Sequence, residues 1–94
     1  MPHIDLTRTH DLGRDGARRV AEEVAADLRA HLGARTYWEG DALRLDGPGV
    51  QGALTVTERT VRVTATLGLA LRPLRRRIER EIAAHLDSYT AAPG

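Results

Sequence analysis

Apolar and polar residues alternate through most of the chain between residues 36 and 67, in four short stretches separated by turn residues. Strict alternation is typical of β-strands that bury one face. A two-residue turn at Gly40 and Asp41 produces the first hairpin. Its cross-strand pairs on the apolar face are Trp38 with Leu43 and Thr36 with Leu45. This pattern restricts the middle of the chain to an antiparallel meander with one buried face.

Two further turns extend the meander. A four-residue turn over residues 46–49 pairs Leu45 with Val50 and Leu43 with Gly52. A turn at residues 58–59 gives the last set of pairs: Val56 with Val61, Leu54 with Val63, Gly52 with Ala65 and Val50 with Leu67. All three hairpins place their apolar residues on the same face, and a one-residue slip would expose the whole set.

Two amphipathic helices and one more strand flank the meander. Residues 4–7 alternate as a first strand, and Asp11 is predicted to cap a helix that runs to Leu32 and stops at Gly33. The last helix is predicted to begin near Pro73. Its apolar stripe consists of Leu74, Ile78, Ile82, Leu86 and Tyr89, and residues 90–94 are expected to form a flexible tail.

The order of these elements predicts an α+β fold in one domain covering residues 1–94. Each helix and the sheet has one apolar face, so we expect a single curved antiparallel sheet with both helices packed on one face. The order β-α-β-β-β-β-α is similar to a reduced helix-grip arrangement. The outer face of the sheet then meets water or a partner, a second copy of the chain included.

Composition excludes several classes of function. The 94 residues contain no cysteine, so disulfides, thiolate catalysis and the usual structural zinc sites are excluded. A formal net charge of +1 argues against a general nucleic-acid binder. The four histidines lack zinc-helix spacing, and the one serine, Ser88, stands near the chain end. We expect no catalytic residue, metal or cofactor, and, without a leader-like or membrane-spanning segment, a cytoplasmic protein.

Residues 72–77 contain four arginines and no acid at the predicted start of the last helix. A cation there costs ~0.3–1 kcal/mol, because the helix N-terminus carries partial positive charge. Arg75 and Arg77 each have a glutamate four residues further on. The remaining cations form an outward row of Arg72, Arg76 and Arg80. This row is either a contact surface for an anionic partner or a solvated helix face whose long side chains cover apolar edges.

The predicted register also places two large and two small residues in one inner row: Trp38, Leu43, Gly52 and Ala65. One interpretation is an apolar groove that accepts an acyl chain or a partner's side chain. The other is close packing, in which the small residues let a helix approach and Trp38 fills the remaining space.

A set of turn glycines and core aliphatic residues extends through almost the whole chain. Its members are Ile4, His10, Leu12, Gly13, Ala17, Trp38, Gly40, Asp41, Ala42, Leu43, Gly49, Val50, Gly52, Leu67, Gly68, Pro73, Leu74, Ile78, Glu79 and Ile82. This set resembles the polyhydroxyalkanoic acid system family of small bacterial proteins. That family is named from genes that lie beside polyhydroxyalkanoate synthesis and granule-protein genes, and no catalytic residue is assigned in it.

The resemblance implies a non-catalytic accessory or binding protein associated with polyhydroxyalkanoate storage, with the granule surface or granule proteins as partners. Two alternatives remain open from the residues. One is a small apolar or acyl ligand-binding domain that uses the Trp38 row. The other is a weak nucleic-acid or acidic-protein binding module that uses the last-helix arginines, although a single outer-face tyrosine makes RNA recognition a poor match.

Overall fold

The predicted order of elements is confirmed in the computed structural model, which describes residues 3–90 and the side chains of residues 3–88. The elements are β1 (Ile4–Thr9), α1 (Gly13–Leu32), β2 (Arg35–Glu39), β3 (Ala42–Gly47), β4 (Val50–Val56), β5 (Thr60–Leu67), a 3₁₀ turn (Arg72–Leu74) and α2 (Arg75–Thr90). The predicted role of Tyr89 in the apolar stripe and the predicted tail beyond Thr90 lie outside the described residues.

All five strands belong to one antiparallel sheet in the order β1-β5-β4-β3-β2. The strands β2 to β5 form the predicted meander, and β1 pairs along the free edge of β5. Helix α1 therefore carries the chain from one edge strand of the sheet to the other. Its length of 20 residues corresponds to about 30 Å, enough for that crossing.

The first and last hairpins have the predicted register. Trp38 faces Leu43 across the first turn, and Gly52 faces Ala65 across the last pair of strands. The register of the middle hairpin was predicted incorrectly. Leu43 pairs with Leu54, and Leu45 pairs with Gly52, so β3 and β4 are shifted by two residues from the predicted pairing.

The shift arises at the glycine-rich turn between β3 and β4. Gly47 and Val50 are themselves paired strand residues, so the turn contains only Pro48 and Gly49. Gly49 has a φ of 79°, a conformation that a residue with a side chain rarely adopts. Because side chains alternate with a period of two, a two-residue shift leaves every side chain on its predicted face. The hydrophobic pattern therefore does not distinguish the two registers.

Both helices pack on the same face of the sheet, as predicted. The buried side of α1 consists of Ala17, Val20, Ala21, Val24, Ala25 and Leu28. Ile82 and Leu86 are the buried residues of α2, and Ile78 is half-buried against the same core. Leu74 was predicted to belong to this stripe but is 45% exposed, because it lies in the 3₁₀ turn before the α-helix begins.

The start of α1 differs from the predicted cap. The residue before the helix is Leu12, and no side-chain hydrogen bond from Asp11 caps it. Instead, the backbone N–H of Leu12 donates to Nδ1 of the buried His10 at 3.1 Å. Nε2 of His10 then donates to the carbonyl of Thr57 at 3.2 Å. His10 therefore ties the start of α1 to the β4–β5 turn, and Gly33 ends the helix as predicted, with a φ of 65°.

Candidate functional site

The burial of Ile82 and Leu86 directs the opposite side of α2 away from the core. Two predicted ion pairs on this helix are confirmed. Arg75 lies 4.0 Å from Glu79, and Arg77 lies 3.7 Å from Glu81. Both pairs are solvent-exposed and one helical turn apart, so each contributes only a few tenths of a kcal/mol, about 0.3–0.5.

Arg76 and Arg80 line a shallow groove between β1 and α2. Within the described residues, neither guanidinium makes a hydrogen bond or lies within 4.0 Å of a carboxylate. Leu6 and Ala83 supply apolar surface, while Arg8, Arg75 and Glu79 complete the lining. We call these seven residues the α2 groove. Its two unpaired cations can accept an anion without first breaking an ion pair.

Arg8 and Arg75 are the other two cations of the α2 groove, and the charge of Arg8 is already compensated. Its Nε donates to the Asp87 carboxylate at 2.7 Å, which links β1 to the later part of α2. Glu79, the acid that lines the groove, lies 4.0 Å from Arg75, which it partly compensates. The net uncompensated charge of the groove therefore comes from Arg76 and Arg80.

Arg72 lies apart from the other two members of the predicted row. Its Nε donates to the carbonyl of Leu67 at 3.3 Å, and its side chain lines a depression beside the β3–β4 turn. The helical wheel placed Arg72 in line with Arg76, but the 3₁₀ turn changes the angle between successive residues there. The predicted row is therefore divided. Arg76 and Arg80 line the α2 groove, whereas Arg72 lies beside the β3–β4 turn.

Two leucines beside these arginines were not identified as functional candidates from the sequence. Leu69 is 79% exposed, and Leu74 is 45% exposed. Both belong to the connection between β5 and α2. No acidic residue occurs in this connection or in the first turn of α2, from residue 68 to residue 78. Two exposed leucines in a segment with four arginines form a mixed apolar and cationic surface.

The second predicted site, the inner row Trp38, Leu43, Gly52 and Ala65, is divided by the corrected register. Trp38 and Leu43 share a row with Leu54, whereas Gly52 and Ala65 share the adjacent row with Leu45. Leu43 and Ala65 are buried, at 1% and 3% exposure. The row was therefore predicted incorrectly, although all four residues belong to the inner face.

The packing of the sheet itself requires a glycine at position 52. A Cβ at this position would lie 2.1 Å from the carbonyl oxygen of Thr64 and 2.9 Å from the Cα of Ala65. The close neighbour is therefore the β5 backbone, whereas the sequence suggested an approaching helix. This contact accounts for the glycine without a ligand.

Trp38 is held against α1. Its indole N–H donates to the Glu22 carboxylate at 2.6 Å, and the Arg18 guanidinium lies 3.9 Å from the ring centroid. Arg18 in turn lies 3.5 Å from Asp41 in the β2–β3 turn. These contacts use both the edge and the face of the indole to fix α1 over the first hairpin.

Two histidines that are far apart in sequence, His31 and His85, lie near the same carboxylate. Asp27 on α1 lies 3.0 Å from Nε2 of His85 on α2 and 3.6 Å from Nδ1 of His31. The adjacent cavity, lined in part by Leu28 and Ile78, measures about 30 Å³. That volume holds about two waters and no acyl chain. Among residues 3–90, no three His, Asp or Glu side chains are arranged to hold a metal ion.

On the outer face of the sheet, Arg62 makes two hydrogen bonds to Asp5, at 3.0 and 2.8 Å. The hydrogen bonds from Arg62 hold the pKa of the Asp5 carboxyl below its ordinary value, with a smaller contribution from the guanidinium charge. Tyr37 is the aromatic residue of this face and is 52% exposed. No described helix covers this outer face. That it contacts water or a second copy of the chain stays a prediction.

Within the described chain, neither helix has the length and apolar character needed to cross a lipid bilayer. No curated protein and no solved structure matched the chain significantly. A family model described as putative polyhydroxyalkanoic acid system protein matches residues 4–89, which span every strand and nearly all of α2. The chain therefore belongs to the polyhydroxyalkanoic acid system family.

Proposed function

We propose that this protein is a non-catalytic accessory protein of the polyhydroxyalkanoate system that binds the granule surface, or a protein on it, through the α2 groove. The observation that carries the proposal is the pair Arg76 and Arg80, two groove-lining cations without an acidic partner among the described residues. Membership in the family supplies the storage system as the context.

The chemistry of the α2 groove favours binding over catalysis. A guanidinium stays protonated at physiological pH and donates hydrogen bonds in a planar fork that matches carboxylate and phosphate groups. Such a group holds an anion but does not exchange protons with it. Glu79, the acid of the groove, faces Arg75.

The groove surface also suits an extended anionic partner better than a small buried ligand. The groove is open along the β1 edge of the sheet, where Leu6 and Ala83 provide apolar contact between the cations. A partner that carries anionic groups beside apolar surface can use both features.

The test is co-sedimentation with purified polyhydroxyalkanoate granules. The double variant Arg76→Gln/Arg80→Gln keeps the long polar side chains and removes two charges. We expect it to lower granule affinity roughly 25-fold, since each charge-assisted contact contributes about 1 kcal/mol, which is about five-fold in affinity. The single variant Arg72→Gln should have a smaller effect, because Arg72 already donates to the Leu67 carbonyl.

A matched control removes the same charge from other surfaces. Arg19 on α1 and Arg59 in the β4–β5 turn are exposed and make no side-chain ion pair within the described residues. The variant Arg19→Gln/Arg59→Gln should bind granules like the unmodified protein. Equal granule binding by the unmodified protein and both double variants would refute the proposed function. Equal losses of binding in the two double variants would show that granule binding depends only on the net charge of the protein.

A further inference from the structure

We propose that the connection between β5 and α2 inserts Leu69 and Leu74 into the apolar layer of an anionic lipid surface, while Arg72 and the arginines of the first turn of α2 bind the phosphate headgroups. This inference rests on the proposed function, since it specifies the chemistry of the surface that the α2 arginines meet. It concerns residues 68–77, which we call the insertion segment.

The exposed leucines are held on an ordered backbone. The N–H of Gly68 donates to the carbonyl of Gly49 at 2.8 Å, and the N–H of Leu71 donates to the carbonyl of Gly68 at 3.0 Å. A further bond of 2.9 Å joins the N–H of Leu74 to the carbonyl of Leu71. Leu71 itself packs against the core. The segment therefore directs one leucine inward and presents the other two to the solvent.

The charges around these leucines have one sign. The insertion segment carries Arg72, Arg75, Arg76 and Arg77 and no acidic residue. Their location at the start of α2 is unfavourable for helix stability, because the helix dipole is positive there. The nearest acids, Glu79 and Glu81, each face one of the four arginines. Binding to an anionic surface would compensate the remaining charge.

A lipid surface matches this combination better than a nucleic acid or a folded acidic protein. Interfacial segments place apolar side chains in the acyl boundary and arginines at the headgroups. A nucleic acid would use the cations but would leave Leu69 and Leu74 in water, and the segment contains no aromatic residue on which a base could stack. A protein pocket for Leu69 would need matching acids around it, whereas a lipid bilayer needs only anionic headgroups.

The position of the segment in the fold allows a flat surface to reach it. The connection lies at the end of the molecule where α1 ends, because Arg72 lines the depression beside Gly47, and Gly47 packs against Ala34. Leu12 lies at the other end, where α1 starts, and is 45% exposed like Leu74. Leu12 therefore provides a control of equal exposure about 30 Å away along the helix.

The first experiment measures partition onto vesicles of equal parts phosphatidylglycerol and phosphatidylcholine, compared with pure phosphatidylcholine. We expect much stronger binding to the anionic vesicles, by about five-fold for each arginine that reaches the surface. Leu69→Ser/Leu74→Ser should lower that binding by at least about ten-fold, since the burial of a single leucine side chain already corresponds to about that factor. The control Leu12→Ser/Tyr37→Ser removes the two other large exposed hydrophobic side chains of residues 3–88 and should leave binding unchanged.

A second experiment separates insertion from surface attraction. In the Trp38→Phe background, Leu69→Trp and Leu12→Trp each provide a single tryptophan. Lipids brominated in their acyl chains should quench the tryptophan at position 69 and not the one at position 12. Circular dichroism of every variant confirms that it is folded before it is compared.

The outcomes distinguish this inference from the proposed function. Granule binding that needs Arg76 and Arg80, together with no binding to anionic vesicles, would overturn lipid insertion and leave the proposed function in place. Anionic-vesicle binding that is insensitive to the leucine substitutions, or unquenched tryptophan at position 69, would overturn insertion as well. Loss of vesicle binding in Leu69→Ser/Leu74→Ser but not in Leu12→Ser/Tyr37→Ser, together with quenching of the tryptophan at position 69 but not at position 12, supports the inference.

Discussion

Replacing Gly52 with alanine tests whether this glycine serves sheet packing or leaves room for a ligand. The added Cβ would lie 2.1 Å from the carbonyl oxygen of Thr64, whereas carbon and oxygen normally approach to about 3.3 Å. The β5 backbone must therefore move by about 1 Å. It is held on both sides by hydrogen-bonded neighbours, β1 and β4, so it cannot move without straining the sheet.

The expected cost follows from these distances. Overpacking a filled site destabilises a protein by about 1–3 kcal/mol. Replacing a glycine recovers about 0.4–1 kcal/mol, because the unfolded chain becomes less flexible. We expect Gly52→Ala to lose about 2 kcal/mol of unfolding free energy. That loss corresponds to roughly 1 M in the urea midpoint or ~8–16 °C in Tm for a domain of this size.

The assay is urea unfolding followed by the fluorescence of Trp38 and by circular dichroism. Gly68→Ala is the matched control, because its added Cβ would meet only atoms of Gly49, the nearest of them the Cα at 3.3 Å, so that a shift of a few tenths of an ångström relieves the contact. That variant should stay within about 1 kcal/mol of the unmodified protein, as expected for a nearly ordinary contact. An unchanged or raised midpoint for Gly52→Ala would refute the close-packing argument and restore the open groove as an interpretation.

Two further predictions concern polar contacts. His10→Ala should lower the unfolding free energy by about 1–3 kcal/mol, because it leaves the Leu12 N–H and the Thr57 carbonyl without their partner; an unchanged thermal midpoint would contradict this. Arg62→Gln should remove a stabilisation that depends on ionised Asp5. Because Arg62 lowers the pKa of Asp5 in the folded protein, this stabilisation is present above the ordinary value of 3.8 and is lost as the pH falls through the folded pKa. Urea midpoints measured from about pH 6 to about pH 2 should therefore converge for the two proteins at the acid end, and a difference that persists there would show that the ion pair is not its source.

The element order and the buried face were accessible from the sequence because they depend on periodicity. Alternation fixed which side chains point inward, and the turn at Gly40 set the register of the first hairpin. The middle register was not accessible in the same way. Gly47 reads as a turn residue but is a strand residue paired with Val50, and a two-residue shift preserves the pattern.

Contacts between residues far apart in sequence account for the other differences. Asp11 satisfies the local rule for a helix cap, but α1 begins without a side-chain cap. His10 instead ties the start of the helix to Thr57 in the distant β4–β5 turn. Asp27 and His85 are close only because the two helices lie side by side. The exposure of Leu74 has a local cause instead. It depends on the residue at which α2 begins, and helix propensity does not define that residue to within one turn.

The most direct test of the proposed function is a competition in one tube between the unmodified protein and Arg76→Gln/Arg80→Gln for a limiting amount of purified granules. Mass spectrometry of the pellet gives the ratio of the two proteins under identical conditions. We predict a pellet enriched roughly 25-fold in the unmodified protein, and no such enrichment when Arg19→Gln/Arg59→Gln is the competitor. A pellet ratio equal to the ratio added would contradict the assignment of the α2 groove as the granule-binding surface.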